Sequence, residues 1–294
     1  MTLSVLIPTY NYNARALVTA LLRQIEAEQV EAEVIVGDDA STSQTEWLDE
    51  VAEWKGVRVL RTTHNLGRSA NRNRMAEAAN GEWLLFMDCD AKVEDNQFLH
   101  KYLIATKEAE VICGGLYHPK ELPGVGYELR WKYELKAEPR FAAEYLNKLL
   151  AAGKHVPFRT FSFLIHRDVF KRAKFDEHIQ AYGCEDVLFG MKLDAIGARV
   201  LYINNPLLNG DIETSAIYLQ KTEEAVRTLH GLNGQLLGYY RLENVANKVK
   251  RWHLDGLIRL GFRLTKQMMR RNLLGRHPSL TIFSLYKLGY YLSL

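Results

Sequence analysis

The first ninety residues alternate between short apolar runs and longer amphipathic stretches. Continuous apolar runs bounded by turn residues predict buried strands at residues 3–7, 34–36, 57–60 and 83–87. Apolar positions at helical spacing predict helices at residues 14–28, 45–54 and 69–79. Such alternation is typical of an α/β fold with a mostly parallel, Rossmann-like central sheet, and right-handed crossovers place helices on both of its faces.

The pattern is less regular after residue 100. Further strands are predicted at residues 111–117, 161–165 and 200–203, and helical stretches from about 127 to 150, at 186–196 and at 213–232. Residues 119–126 are expected to form a loop. The predicted division is a catalytic domain over residues 1–235 and a helical extension over residues 236–294.

The extension differs from the rest of the chain in charge. Residues 248–294 contain ten Lys or Arg and one acid, Asp255, so their net charge is 10 − 1 = +9, and the remainder carries 28 − 34 = −6. One stripe of the predicted helix is basic and is formed by Lys248, Arg259, Arg263, Lys266 and Arg270. Another stripe is apolar and is formed by Leu257, Leu260, Leu264 and Met268. An apolar, aromatic stretch follows at residues 280–292. Two interpretations stay open: an interfacial membrane anchor, or a helix packed on the catalytic domain with a solvated basic face.

Composition limits the class of protein. With 47% hydrophobic and 25% charged residues the chain is typical of soluble globular proteins. Three scattered cysteines fit a reducing cytosol and argue against a disulfide framework or a zinc cluster. The N-terminus lacks the features of a signal peptide, and no apolar stretch reaches the roughly 18 residues of a membrane span. We therefore expect a cytoplasmic protein, either free or peripheral on the inner face of the cell membrane. No motif indicates nucleic-acid binding.

Two carboxylates, Asp88 and Asp90, directly follow the predicted strand at residues 83–87. The carboxyl edge of a parallel sheet is where α/β proteins bind ligands. Hard oxygen donors at that edge suit Mg²⁺ or Mn²⁺, which can bridge to a diphosphate. The alternative is a capped turn without a ligand.

Four other positions carry side chains that suit a ligand site. Asp39 follows the second strand, and Tyr10 follows the first and offers a face on which a base could stack. Arg72 lies in the first turns of a predicted helix and could reach phosphate oxygens. The pair Glu185 and Asp186 precedes an amphipathic helix whose dipole favours ionised carboxylates. For each of these residues the alternative is a purely structural role, in a turn, in a helix cap or on a solvated helix face.

Taken together and in order, these segments resemble the nucleotide-sugar glycosyltransferases of family 2, which have the GT-A fold. The resemblance covers roughly residues 1–230 and rests on the segments 4–11, 36–41, 65–73, 81–90 and 183–186. It implies that Pro8, Thr9 and Tyr10 line the nucleobase pocket. It also implies that Asp39 accepts the imide N–H of the base, which favours uracil.

The same resemblance implies roles for the remaining residues. Arg72 braces the diphosphate, Asp88 contacts the ribose or the metal, and Asp90 binds the metal directly. Asp186 is the general base, and Glu185 assists it or binds the acceptor. The chain departs from the family at Asn209, where many relatives carry a metal-binding His. Asn is a weaker ligand, which puts the metal requirement in doubt, and Asp211 is a possible substitute.

The function expected on this basis is an inverting transfer of a hexosyl or N-acetylhexosaminyl unit. The donor is a nucleoside-diphosphate sugar, with UDP favoured, and the acceptor is a hydroxyl of a glycan or lipid-linked saccharide. Two alternatives remain. A sugar nucleotidyltransferase would need a Gly-rich basic loop after the first strand, which residues 8–13 lack. A non-catalytic nucleotide- or glycan-binding module would keep the fold without the chemistry.

Overall fold

The computed structural model describes residues 1–294 and contains two β-sheets. The strands are β1 Thr2–Thr9, β2 Glu31–Asp38, β3 Val57–Arg61, β4 Trp83–Met87, β5 Ala91–Lys92, β6 Val111–Cys113, β7 Leu116–Tyr117, β8 Ser162–His166, β9 Val200–Tyr202 and β10 Leu207–Asn209. The large sheet has seven strands in the order β3-β2-β1-β4-β8-β6-β9. Its strands run parallel except at β8, which is antiparallel to both neighbours. The predicted α/β fold with a mostly parallel sheet is confirmed.

Twelve α-helices surround the sheets. They are α1 Arg15–Glu28, α2 Glu46–Ala52, α3 Arg68–Ala78, α4 Phe98–Ala105, α5 Glu128–Ala137, α6 Ala143–Ala151, α7 Arg167–Ala173, α8 Glu185–Ala195, α9 Ser215–Gly231, α10 Arg241–Arg251, α11 Asp255–Leu273 and α12 Leu280–Ser293. A short 3₁₀ helix, Glu138–Phe141, separates α5 from α6. It contains Pro139, which cannot continue an α-helix, so the single helical stretch expected to residue 150 is broken there.

Both faces of the large sheet are covered by helices, as predicted. On one face α1, α2 and α4 contribute Leu21, Leu48 and Leu99 to a core cluster. On the other face α3 and α8 contribute Met75 and Phe189 to a second cluster. All five residues of β4 are buried between these layers, which explains its continuous apolar sequence.

The strand predicted over residues 111–117 is wrong in one respect. The chain forms β6, turns at Gly114 and Gly115, and enters β7 in the other sheet. Gly115 has a φ of +84°, which a glycine adopts without strain. The small sheet has the order β5-β10-β7, and its strands are too short to show a periodic pattern in the sequence. It joins Asn209 to Ala91 across an antiparallel pair, next to the turn that follows β4.

The C-terminal helices pack on helices of the preceding part of the chain. The basic stripe predicted as one helix is divided between α10 and α11, because the chain turns at residues 252–254. The aromatic stretch forms α12, whose Phe283 and Tyr286 are buried against residues of α5 and α9. For α12, the packed interpretation therefore applies. The domain division at residue 235 stays a prediction. None of the helices combines the length and the hydrophobicity needed to span a bilayer.

Candidate active site

The parallel strands β1, β2 and β4 end side by side at one edge of the large sheet. The backbone N–H of Asp39, just beyond β2, donates to the carbonyl of Thr9 at 3.0 Å. The backbone N–H of Asp88, just beyond β4, donates to the carbonyl of Phe161 at 2.9 Å. The polar residues that follow these strands are therefore held at the same edge, which we call the carboxyl edge.

Arg72 forms an ion pair with Asp88. The Nη2 atom of Arg72 lies 2.7 Å from Oδ1 of Asp88, and only 4% of the Arg72 side chain is exposed. The Nε and Nη1 atoms of Arg72 are buried and have no hydrogen-bond partner. Leaving buried donors unpaired is costly, so this guanidinium is suited to an anionic group that would complete its hydrogen bonds.

Asp90 lies in the tight turn between β4 and β5. The turn is closed by the N–H of Ala91, which donates to the Asp88 carbonyl at 3.1 Å. Burial and then repulsion from the Asp88 carboxylate raise the pKa of Asp90 to about 6. Two carboxylates that disfavour each other's charge form a suitable place for a cation.

The residues around this turn fit a divalent metal. Asn209 is 6% exposed and lies beside the turn, since it pairs with Ala91. Its Oδ1 atom is buried and has no hydrogen-bond partner. With Asp88 and Asp90 it offers the oxygen donors that Mg²⁺ and Mn²⁺ prefer, although no three His, Cys, Asp or Glu residues cluster here. Asp211 also lies near the turn, since its charge helps to raise the pKa of Asp90, and it stays a possible substitute ligand. Its carboxylate accepts a hydrogen bond from the Tyr12 hydroxyl, and its Oδ1 atom lies 3.7 Å from Nζ of Lys92.

The residues predicted as base and assistant lie at the start of α8. The helix is preceded by Gly183 and Cys184, which both have positive φ angles, +98° and +72°. A Cβ on Gly183 would lie 2.7 Å from that of Ala225, so this close approach requires glycine. Burial and then repulsion from Glu185 raise the pKa of Asp186 to about 6. Asp186 is therefore ionised at neutral pH and basic enough to accept a proton.

Arg68 lies near both acidic groups. Its side chain is 52% exposed, its Nη1 atom lies 3.3 Å from Oε1 of Glu185, and its guanidinium lies 4.5 Å from the ring centre of Tyr182. Burial lowers the pKa of Arg68, but Glu185, Tyr182 and Asp88 raise it more, and the net shift is upward. The carboxylates of the β4 turn and of the α8 start are thus both close enough to act on one guanidinium.

Two further cations near Asp90 had no signal in the sequence. Arg130 of α5 and Lys221 of α9 both form ion pairs with Glu213. Arg130 lowers the pKa of Asp90, and Asp90 in turn raises the pKa of Lys221, whose net shift is downward because burial dominates. Sequence spacing cannot identify such residues, since a basic residue on an amphipathic helix usually faces solvent.

The predicted base-binding residues differ in exposure. Tyr10 is 50% exposed and Pro8 is partly exposed, whereas Thr9 is buried and donates to the Tyr12 carbonyl at 3.0 Å. The Asp39 carboxylate accepts N–H groups from Leu66 at 2.8 Å and Gly67 at 2.9 Å. Oδ1 also accepts from the Thr62 hydroxyl at 3.4 Å, so Asp39 fixes the loop before α3 and has a lone pair left on Oδ2.

Several known glycosyltransferases resemble the chain in sequence. The model for glycosyl transferase family 2 matches residues 4–172. Over 214 residues the chain is 23% identical to glycosyltransferase GlyG of Streptococcus pneumoniae, covering 70% of this chain and 69% of that protein. An uncharacterized glycosyltransferase of Haemophilus influenzae is 36% identical over 90 residues, covering 30% of this chain and 29% of the relative.

Two solved structures share the fold. S. aureus TarS 1-349, in complex with UDP-GlcNAc, superposes with a TM-score of 0.56 at 19% identity, covering 99% of this chain and 90% of that one. Mannosyltransferase PcManGT from Pyrobaculum calidifontis, in complex with GDP-Man and Mn²⁺, gives 0.56 at 16% identity, covering 99% and 84%. Because the family model matches more than half of the chain and the architecture is that of the GT-A enzymes, this protein belongs to glycosyl transferase family 2.

Proposed function

We propose that the protein transfers a hexosyl or N-acetylhexosaminyl unit from a UDP-sugar to a hydroxyl of a glycan or lipid-linked saccharide, with inversion at the anomeric carbon. The observation that carries the proposal is the position of Arg68 between two acidic groups. It pairs with Glu185 and is also within electrostatic range of Asp88. This supports a single site bordered by the elements proposed to bind the donor and to carry the base.

The leaving group is bound on the Arg72 side of this site. The unpartnered Nε and Nη1 atoms of Arg72 donate to diphosphate oxygens, while Nη2 keeps Asp88 in place. Asp88, Asp90 and the Asn209 amide oxygen would hold a divalent metal, which would neutralise the charge that builds on the diphosphate. Asn209 is a weaker ligand than His, so we expect a lower metal affinity than in relatives that carry the His.

Asp186 acts as the general base. Its carboxylate takes the proton of the acceptor hydroxyl as that oxygen attacks C1 of the sugar, and the bond to the diphosphate breaks on the opposite face. Its raised pKa of about 6 supports this role. Glu185 is held by Arg68, and its negative charge raises the pKa of Asp186.

Uridine is the base we propose, because a carboxylate accepts the imide N–H of uracil. The remaining lone pair on Oδ2 of Asp39 can accept this N–H, and the half-exposed ring of Tyr10 offers a surface on which the base can stack. Relatives differ on this point, since TarS was solved with UDP-GlcNAc and PcManGT with GDP-Man.

The donor is tested by thermal shift with UDP, GDP, CDP and dTDP, each with and without Mn²⁺. A ligand that binds only the folded state raises the melting temperature by mass action. We expect UDP with Mn²⁺ to give the largest shift. A larger shift with GDP would contradict the assignment of Asp39, and no shift with any nucleotide would contradict the proposed function.

The reaction is tested with Asp186→Asn, assayed for release of UDP in the presence of acceptor glycans. We expect transfer to fall about 10²–10⁴-fold while UDP binding is retained. Asp194→Asn, an exposed carboxylate at the other end of α8, serves as the matched control and should leave transfer unchanged. Release of pyrophosphate would instead indicate a nucleotidyltransferase, and wild-type transfer by Asp186→Asn would remove the base assignment.

A further inference from the structure

Helix α11 is apolar on two opposite sides. One side packs into the protein through the buried residues Phe262 and Leu273. The other side presents Leu257, Leu260, Leu264 and Met268 to solvent, with exposed fractions of 69%, 56%, 76% and 67%. Residues at these spacings lie along one line of a helix, so the four side chains form a continuous stripe.

The connector before α11 extends this stripe. Trp252 is 72% exposed and Leu254 is 42% exposed. We refer to these two residues and the four of α11 as the α11 outer face. Single exposed apolar residues are common, but a contiguous apolar face on a monomer usually marks an interaction site.

Residues 248–294, which include this face, carry almost only positive charges. Exposed basic side chains lie on α11 and at the end of α10: Lys248, Lys250, Arg251, Arg259, Arg263 and Arg271. The only acid from residue 248 to the end is Asp255, and Arg259 pairs with it. This pattern complements an anionic surface. It disfavours a second copy of the same face, because two such faces would bring like charges together.

We propose that the α11 outer face docks onto an anionic phospholipid surface. The helix lies in the plane of the interface, its leucines and Trp252 enter the boundary between headgroups and acyl chains, and the arginines contact lipid phosphates. α12 takes no part, since its aromatic residues are buried inside the protein. The inference rests on the proposed function only for its purpose, which is to hold the enzyme where lipid-linked acceptors are found.

The docking is tested by sedimentation of the full chain with vesicles of phosphatidylglycerol and phosphatidylcholine, compared with vesicles of phosphatidylcholine alone. We expect binding to the anionic vesicles that weakens as salt is raised. Leu264→Glu should lower the partition coefficient by at least about tenfold, because it removes a leucine that would enter the lipid and adds a charge that anionic lipid repels.

Ile104→Glu is the matched control. Ile104 is 50% exposed on α4, in the catalytic part of the chain, so the same chemical change there should leave vesicle binding unchanged. Equal losses in both variants, or equal binding of wild type to the two kinds of vesicle, would overturn the proposal.

Sedimentation velocity without lipid tests the competing occupant. Wild-type protein that dimerises through this face, with dimers abolished by Leu264→Glu and no vesicle binding, would also overturn the proposal.

The UDP thermal shift of Leu264→Glu separates the docking proposal from the proposed enzyme function. A normal shift in a protein that no longer binds vesicles leaves the enzyme assignment intact. Vesicle binding by a wild type that no nucleotide stabilises would remove the enzyme assignment and leave the docking intact.

Discussion

Arg72 and Arg74 lie two residues apart on α3 and make different contacts. Arg72 is buried, pairs with Asp88 and keeps two donors without partners. Arg74 uses its donors on the carbonyls of Arg61 and Leu60 and on the Asn71 amide, at 3.2, 3.1 and 2.9 Å. Arg74 has one buried donor without a partner, Nε, but its two Nη atoms hold α3 against the sheet, whereas Arg72 keeps both Nε and Nη1 unpaired.

Arg72→Met is expected to weaken UDP binding at least about tenfold, because charge-assisted hydrogen bonds to the diphosphate are lost. Its free energy of unfolding should change by less than about 1.5 kcal/mol, because the Asp88 side chain is 32% exposed and stays hydrated, and the unpaired buried donors are removed. Isothermal titration and urea unfolding measure the two quantities.

Arg74→Met should leave the UDP affinity unchanged. It should lower the free energy of unfolding by about 1–3 kcal/mol, because the carbonyls that Arg74 pairs with would lose their donor. If Arg72→Met unfolds the protein or binds UDP normally, the role assigned to Arg72 is wrong.

The raised pKa of Asp186 predicts the acid limb of the pH profile. The base must be ionised, so kcat/KM should rise with pH up to about 6 and then level off, with about a tenth of the plateau remaining one unit lower. The free energy of unfolding depends on pH in the opposite direction. The folded state binds this proton more readily than the unfolded chain, whose carboxyl titrates near 3.9, so stability falls as pH rises between about 4 and about 6. Asp194→Asn should keep the acid limb of transfer, and a wild-type profile flat down to pH 4 would contradict the assignment.

At the scale of secondary-structure elements, the contact between α11 and α12 depends on a glycine. A Cβ on Gly289 would lie 2.5 Å from Cδ2 and 2.7 Å from Cβ of Phe262. The two helices can therefore approach each other only because residue 289 has no side chain. Gly261, on the exposed side of α11, has no atom within 4 Å of where its Cβ would be.

Gly289→Ala is expected to lower the free energy of unfolding by about 1–3 kcal/mol through overpacking against Phe262. Gly261→Ala should raise it by up to about 1 kcal/mol, because alanine is the better helix former and nothing obstructs it. Urea unfolding of both variants measures the contrast. Equal effects of the two substitutions would show that α11 and α12 are not packed as described.

Elements also differ in how well their sequence predicts them. Strands β1, β2 and β4 have apolar runs because they are largely buried on both faces, and the edge strand β3 is only partly buried. The sequence located all four. The small sheet was missed, since β5 and β7 have two residues each and β10 has three, too few to display a period. Proline at position 139 and the turn at 252–254 also broke helices that apolar spacing alone had made continuous.

At the scale of the whole molecule, the C-terminal helices complete the core around the site. Leu188 of α8 and Val226 of α9 share a cluster with Leu288 and Leu292 of α12. Leu129 of α5 and Leu219 of α9 share another with Phe283. The helices that carry Arg130, Lys221 and Asp186 are thus supported from behind by α12.

A fragment of residues 1–235 is therefore expected to expose these apolar surfaces, bind the dye ANS and lose cooperative unfolding. Differential scanning calorimetry and ANS fluorescence of the fragment and the full chain provide the measurement. A fragment that unfolds cooperatively with the melting temperature of the full chain would show that residues 236–294 are an independent appendage.

The sequence by itself determined the α/β alternation, the four parallel strands and the order of acidic motifs, because apolar period and turn residues are local properties. Only the tertiary structure decided that Arg68 pairs with Glu185, that Asn209 lies beside Asp90, and that α11 rather than α12 exposes an apolar face. These depend on which elements meet in space. A single amphipathic helix has the same periodicity whether its second face meets protein, lipid or water.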